Sequence, residues 1–198
     1  MDIVFDLGGV IFNWRPEELL TACFPDERSR ALARREVLQH SDWRELDRGT
    51  LDYPEVATRA HERGGLSVQQ VLAFLESVPP SLTLIGEAVD LVWQLREQGH
   101  RLFYLSNMHA ASIAHIEQAA GVWGAFEGGV VSCRVHSIKP EEAIFRRLEH
   151  DFALSLERCV FIDDARENVE AARALKMSAI EFQGVRECSR ELAELAGS

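Results

Sequence analysis

The sequence lacks any apolar run approaching the roughly 18 residues that a membrane-crossing helix needs, so no such helix is expected. It also lacks low-complexity tracts and internal repeats, which sets aside disordered and solenoid architectures. Cysteine is sparse and scattered. Cys23, Cys133, Cys159 and Cys188 form no close pair, which fits neither a disulfide scaffold nor a zinc site and points to a reducing cytoplasm. Positive charge is short as well: 21 Lys and Arg stand against 32 Asp and Glu, a formal net charge of -11. That balance argues against a nucleic-acid partner, since affinity for phosphate backbones comes from clustered cations. It also means that an anionic substrate needs local positive charge from a metal ion, a few cations or helix N-termini. The opening MDIVFDLGGVIF is apolar, yet it has no basic leader and carries Asp2 and Asp6, so it reads as a buried strand and not as a signal peptide.

What is present suits a globular enzyme. The chain has 198 residues, 46% hydrophobic and 27% charged, enough for one substantial core with a small insertion. Short β-branched and aromatic runs at Ile3-Val4-Phe5, Leu102 to Leu105, Val130-Val131, Cys159 to Ile162 and Ala179 to Phe182 read as strands. Segments of helical period separate them, such as Ala88 to Glu97 and Glu141 to Phe152. This alternation predicts an α/β fold with a parallel sheet. From about Pro16 to Pro79 the rhythm breaks: helical patterns at Ser29 to Gln39, Pro54 to Glu62 and Val68 to Glu76 follow one another with no strand between. Residues 16–79 are therefore expected to form a helical insertion, with residues 1–15 and 80–198 forming the core. Proline marks both edges, at Trp14-Arg15-Pro16 and at Pro79-Pro80-Ser81, where it is expected to stop helices.

Ligands of open α/β sheets sit at the carboxyl ends of the strands, and here those ends are polar. The first strand ends in Asp6-Leu7-Gly8-Gly9, the second in Ser106-Asn107 and the fourth in Asp163-Asp164, while Lys139-Pro140 follows the third. Together these groups suit phosphoryl transfer. Asp6 can attack phosphorus. Asp164, with Asp163 beside it, can hold Mg²⁺ through carboxylate oxygens. Lys139 adds a point charge, and Ser106 can bind the transferring oxygens.

In their order and spacing, the segments at 4–6, 105–107 (Leu-Ser-Asn), 139–141 (Lys-Pro-Glu) and 161–168 (Phe-Ile-Asp-Asp-x-x-x-Asn) resemble the haloacid dehalogenase-like hydrolase superfamily. The resemblance implies a Rossmann-like three-layer core with a small helical cap inserted after the first strand. Trp43-Arg44-Glu45-Leu46-Asp47-Arg48-Gly49 looks like a cap segment of sugar-phosphate phosphatases and of the soluble epoxide hydrolase phosphatase domain. The activity it implies is Mg²⁺-dependent hydrolysis of a small phosphorylated substrate, with a sugar phosphate favoured, through an aspartyl-phosphate on Asp6. The implied metal ligands are Asp6, the Gly8 carbonyl, Asp163 and Asp164. Those for substrate are Ser106, Asn107 and Lys139, joined by Arg15 and His109 from their places beside the first and second motifs. One departure stands out: most phosphatases of this family carry an acid-base Asp two residues after the nucleophile, and here that residue is Gly8. An easy leaving group such as an anomeric phosphate, another acid such as His109, or a water held by the cap can stand in for it.

Simpler readings compete residue by residue. Asp164 with Glu167 matches a capping box, Ser106 or Asn107 can cap a helix, and Lys139 can be a solvated residue before Pro140. Competing functions are a metal-independent haloacid dehalogenase, against which the Asp163-Asp164 pair speaks, and a weakened phosphate-binding regulatory protein whose Gly8 has cost it turnover.

Overall fold

The structure is a computed structural model that describes residues 1–196. Gly197 and Ser198, the end of the expected core segment, lie outside the described residues. The strand β1 (Asp2–Phe5) is followed by five helices: α1 (Pro16–Cys23), α2 (Glu27–Ala33), α3 (Ser41–Arg48), α4 (Tyr53–Arg63) and α5 (Val68–Ser81). A π-helical turn at Arg34–Leu38 continues α2. Alternation then sets in with α6 (Gly86–Glu97), β2 (Arg101–Ser106), α7 (Ala110–Ile116), β3 (Gly128–Val131), α8 (Ser132–Val135) and α9 (Glu142–Asp151). It ends with β4 (Cys159–Asp163), α10 (Arg166–Ala174), β5 (Ser178–Glu181) and α11 (Val185–Ala196).

The five strands form one parallel sheet in the order β3-β2-β1-β4-β5, as the alternation predicts. Strand residues point to opposite faces in turn. Ile3 and Phe5 join one buried cluster with Leu91 and Val92 of α6, Ile113 of α7 and Leu192 of α11. Val4 joins another with Phe145 and Leu148 of α9 and Ala172 of α10. Ile3, Val4, Phe5, Phe103 and Phe161 are at most 1% exposed, and burying each such side chain contributes about 1.5–3 kcal/mol. The result is three layers, and the strand order reverses at β1. That switch point puts the ends of β2 and β4 on either side of Asp6, whose N–H donates to the Ile162 carbonyl at 2.8 Å.

Helices α1 to α5 surround an apolar cluster of their own, including Leu20, Phe24, Val37, Leu46, Val56 and Phe74. Local signals set their ends. Pro16 lies in the first turn of α1, and capping boxes open α4 (Asp52 with Glu55) and α5 (Ser67 with Gln70). Arg63 ties this group together by reaching Glu36 at 3.0 Å and Asp42 at 2.7 Å. The expected stop at Pro79 is displaced: α5 runs through Pro79 and Pro80 to Ser81. Both prolines sit in its last turn, each costing one N–H bond there but leaving no long helix beyond to be kinked, and the Ser81 hydroxyl donates to the Val78 carbonyl at 2.6 Å.

The end of α3 is fastened to the sheet domain. Arg48 makes a paired contact with Glu141 at 2.6 and 2.9 Å, and the Ser132 hydroxyl donates to the Asp47 carbonyl at 2.5 Å. Gly49 ends the helix at φ +78°, and an added Cβ would lie 2.7 Å from the Cys133 carbonyl. Among the described residues no helix is long and apolar enough to cross a membrane.

Candidate active site

Asp6 follows β1 directly, and at 8% exposure its carboxylate is nearly enclosed. Oδ1 accepts from the Leu7 N–H at 2.7 Å and lies 3.0 Å from Lys139 Nζ. Lys139 is 2% exposed and donates to Asp163 Oδ2 at 2.6 Å. Burial first, and then the charges of Asp163 and Asp164, push the Asp6 carboxyl up to about 7, against the pull of Lys139. Asp6 and Asp163 keep the Lys139 ammonium charged in spite of its burial, so its pKa is raised.

The two residues after β4 have different surroundings. Asp163 is fully buried and saturated: it accepts from Lys139, from the Ala165 N–H at 2.8 Å and from Asn168 Nδ2 at 3.0 and 3.1 Å. Asp164 is exposed, and it caps nothing, since α10 begins without a side-chain cap. The capping-box alternative for Asp164 therefore fails. Packing around Asp164, and then the Asp163 charge, raise its pKa. Gly9 makes room for it: at φ +77°, an added Cβ would lie 2.2 Å from Asp164 Oδ2.

Carboxylate oxygens of Asp6, Asp163 and Asp164 lie within 4.8 Å of one another. Three carboxylates against one ammonium leave an excess of two negative charges. An all-oxygen donor set of this charge fits Mg²⁺, a hard cation that keeps waters and binds through one or two carboxylates. The Ser106 hydroxyl also fits an oxygen-rich ligand here: it is 1% exposed and has no hydrogen-bond partner among the described residues. A buried hydroxyl without a partner costs about 1–3 kcal/mol, and a phosphate oxygen at the strand end would relieve that cost.

The remaining expected residues divide. Asn107 clamps the Lys139 backbone, its Nδ2 donating to the Lys139 carbonyl at 2.9 Å and its Oδ1 accepting the Lys139 N–H at 2.7 Å. It fixes the lysine's backbone, while one side of it faces the cavity. His109, just before α7, is 3% exposed and also reaches the cavity. Arg15 does not. It points to solvent and pairs with Glu18 at 3.4 Å, because Pro16 starts α1 there and turns the side chain away, whereas its neighbour Trp14 lines the cavity.

That cavity has a volume of about 250 Å³ between the sheet domain and the helical insert. Asp6, Gly8, Asp164 and Ala165 form its floor, and its walls include Trp14, Trp43, Val78, Leu82 and Met108. The Trp14 and Trp43 rings lie 5.7 Å apart. Sequence reasoning overlooked Asp47, which also lines the cavity and pairs with His109, and it overlooked Tyr53 and Ser112, whose hydroxyls hold the other ring nitrogen of His109. The one signal for Asp47 was its place in the cap-like segment 43–49.

A family model described as haloacid dehalogenase-like hydrolase matches residues 3–176. The sesquiterpene phosphatase astK of Aspergillus oryzae is 22% identical over 194 residues, 98% of this chain and 95% of that protein. The drimenol cyclase drtB of Aspergillus calidoustus is 28% identical over 199 residues, 99% of this chain but 36% of the cyclase, so the chain spans about a third of that protein. Among solved structures, a HAD family enzyme of Bacteroides thetaiotaomicron, in complex with magnesium and inorganic phosphate, superposes with a TM-score of 0.69 at 22% identity. That match covers 90% of this chain and 92% of the other.

Proposed function

The chain belongs to the haloacid dehalogenase-like hydrolase family, and from that premise we propose that it is a Mg²⁺-dependent phosphomonoesterase with Asp6 as nucleophile and the α1–α5 insert as its cap. The observation that carries this reading is the enclosed Asp6 carboxylate at the switch point, with Lys139 3.0 Å away and the exposed Asp164 beside it. Asp6, Asp164 and the Gly8 carbonyl would hold the metal. When bound, Mg²⁺ supplies charge neutralisation that lets an anionic nucleophile approach an anionic ester. Asp163, saturated by Lys139 and Asn168, acts mainly by fixing the ammonium. Lys139 and the Ser106 hydroxyl bind the transferring oxygens, and Asp6 takes the phosphoryl group as an aspartyl-phosphate.

The leaving group is a small alcohol with substantial apolar surface. Two tryptophans, Val78, Leu82 and Met108 offer it contact. The polar groups around them are engaged with protein: Asn107 with Lys139, and His109 with Asp47, Tyr53 and Ser112. A sugar would find few free partners there, so this lining favours an apolar alcohol over the sugar suggested by the sequence resemblance. The name of the Aspergillus oryzae relative, a sesquiterpene phosphatase, agrees with that preference.

A screen of monophosphates with Mg²⁺ tests both parts, setting prenyl and alkyl esters beside sugar 1- and 6-phosphates. Turnover should require Mg²⁺, stop with a chelator, favour the apolar esters and vanish in Asp6→Asn. Chelator-resistant release of chloride from a 2-haloacid would replace the phosphatase with a dehalogenase, and turnover surviving Asp6→Asn would remove the nucleophile.

A further inference from the structure

Gly8 leaves this site without an acid beside the nucleophile, and the helical insert supplies a carboxylate from the other side of the cavity. We propose that Asp47, held by His109, protonates the departing alcohol and then takes the proton of the attacking water. The proposal rests on the phosphatase reading above.

Asp47 and Asp6 line one cavity from opposite sides. Asp47 Oδ1 is 3.2 Å from His109 Nδ1, and Oδ2 has no hydrogen-bond partner among the described residues. The His109 ring is locked in turn: Nε2 lies 2.8 Å from both the Tyr53 and the Ser112 hydroxyls, and the Trp43 ring stands edge-on to it. Hydroxyls can donate or accept, so Nε2 keeps a partner whether or not it carries a proton. With Asp47 ionised, Nδ1–H can donate to Oδ1, which leaves Oδ2 of this cavity-lining residue without a protein partner among the described residues. The backbone is fixed as well. Ser132 binds the Asp47 carbonyl, and Arg48 is clamped to Glu141, so this part of the insert is attached to the sheet domain. The other cavity carboxylates are committed: Asp6 contacts Lys139, and Asp164 sits against Gly9 at the metal position.

The protons balance over one cycle, which begins with Asp47 protonated on Oδ2 and passes through its ionised form between the two steps. Asp6 attacks phosphorus, the bond from phosphorus to the alcohol oxygen breaks, and that oxygen takes the proton from Asp47 Oδ2. Water then attacks phosphorus, the bond from phosphorus to Asp6 breaks, and the water proton returns to Asp47 Oδ2 as phosphate leaves. Asp47 is the catalytic residue in this scheme and His109 a positioning residue.

The test is the first-turnover rate of alcohol release by the full chain with Mg²⁺, on two esters of opposite demand. Octyl phosphate leaves as an alkoxide that needs a proton; p-nitrophenyl phosphate leaves as a stabilised phenolate that does not. Asp47→Asn should slow the octyl ester about 100-fold or more and the nitrophenyl ester by less than about fivefold. Adding Gly8→Asp to Asp47→Asn should restore the octyl rate at least about tenfold, because an added Cβ at Gly8 meets nothing within 4 Å. Equal losses on both esters, or none on either, would overturn Asp47 as the acid while leaving the phosphatase intact. A wild-type protein inert toward both esters would overturn the two readings together.

Discussion

The ammonium of Lys139 lies 3.0 Å from Oδ1 of Asp6, and both side chains are nearly closed off from solvent. Lys139 also holds Asp163 at 2.6 Å, so one buried cation serves two buried anions. Removing either end of such a pair has opposite consequences. Lys139→Met leaves clustered carboxylates unpaired, and breaking a buried pair in this way costs about 3–5 kcal/mol. The variant should melt about 6 °C or more below wild type and lose turnover; a melting temperature close to wild type would show that the carboxylates do not depend on the lysine.

Asp6→Asn should instead be stabilising in the metal-free protein, by an amount that depends on pH. The Asp6 carboxyl is pushed up to about 7 in the folded chain from an ordinary 3.8. Its contribution is therefore fully present below about pH 4 and is lost as pH rises toward 7. The amide has no such loss. With chelator present, the melting temperature of Asp6→Asn should exceed that of wild type by more at pH 8 than at pH 5, by about 3 °C or more. An equal gap at both values would contradict the unfavourable charge on Asp6.

Neighbouring glycines should differ sharply. Gly8→Ala places its methyl in open space, whereas Gly9→Ala combines a φ of +77° with a contact 2.2 Å from Asp164 Oδ2. Magnesium titration of activity should show an apparent affinity near wild type for Gly8→Ala and at least about tenfold weaker for Gly9→Ala. Equal affinities would detach Asp164 from the metal.

The clasp between insert and sheet domain should weaken in acid. Hydrogen bonding to Arg48 holds the Glu141 carboxyl down at about 2, from an ordinary 4.5. Its stabilisation is present above about pH 4.5 and is lost as pH falls toward 2. Because Glu141 is 39% exposed, solvent screening keeps the effect small, about 1 kcal/mol or less. Urea midpoints of wild type and Glu141→Gln should be separated at pH 7, draw closer by pH 3 and converge near pH 2; a constant gap would mean that Arg48 does not see the charge.

The chain order of strands and helices was legible because a buried parallel sheet imposes apolar runs on its strands and a 3.6-residue period on its covering helices. Asp6, Ser106, Lys139 and the Asp163-Asp164 pair were legible for a related reason: strand ends at a switch point must face one crevice, whatever the side chains between them. Even the missing acid at Gly8 is written in the sequence. Tertiary structure alone decided how Asp163 and Asp164 divide, since only packing against Lys139 and Asn168 saturates the first and leaves the second open. It alone turned Arg15 to solvent and Asn107 onto the lysine backbone. Beyond its place in the cap-like segment 43–49, Asp47 became visible at the site only when contacts of Ser132 with Asp47, Glu141 with Arg48 and His109 with Asp47, spanning 85, 93 and 62 residues, drew the end of α3 onto the sheet domain. Contacts over such separations follow from which apolar faces must be buried together, and no local spacing records them.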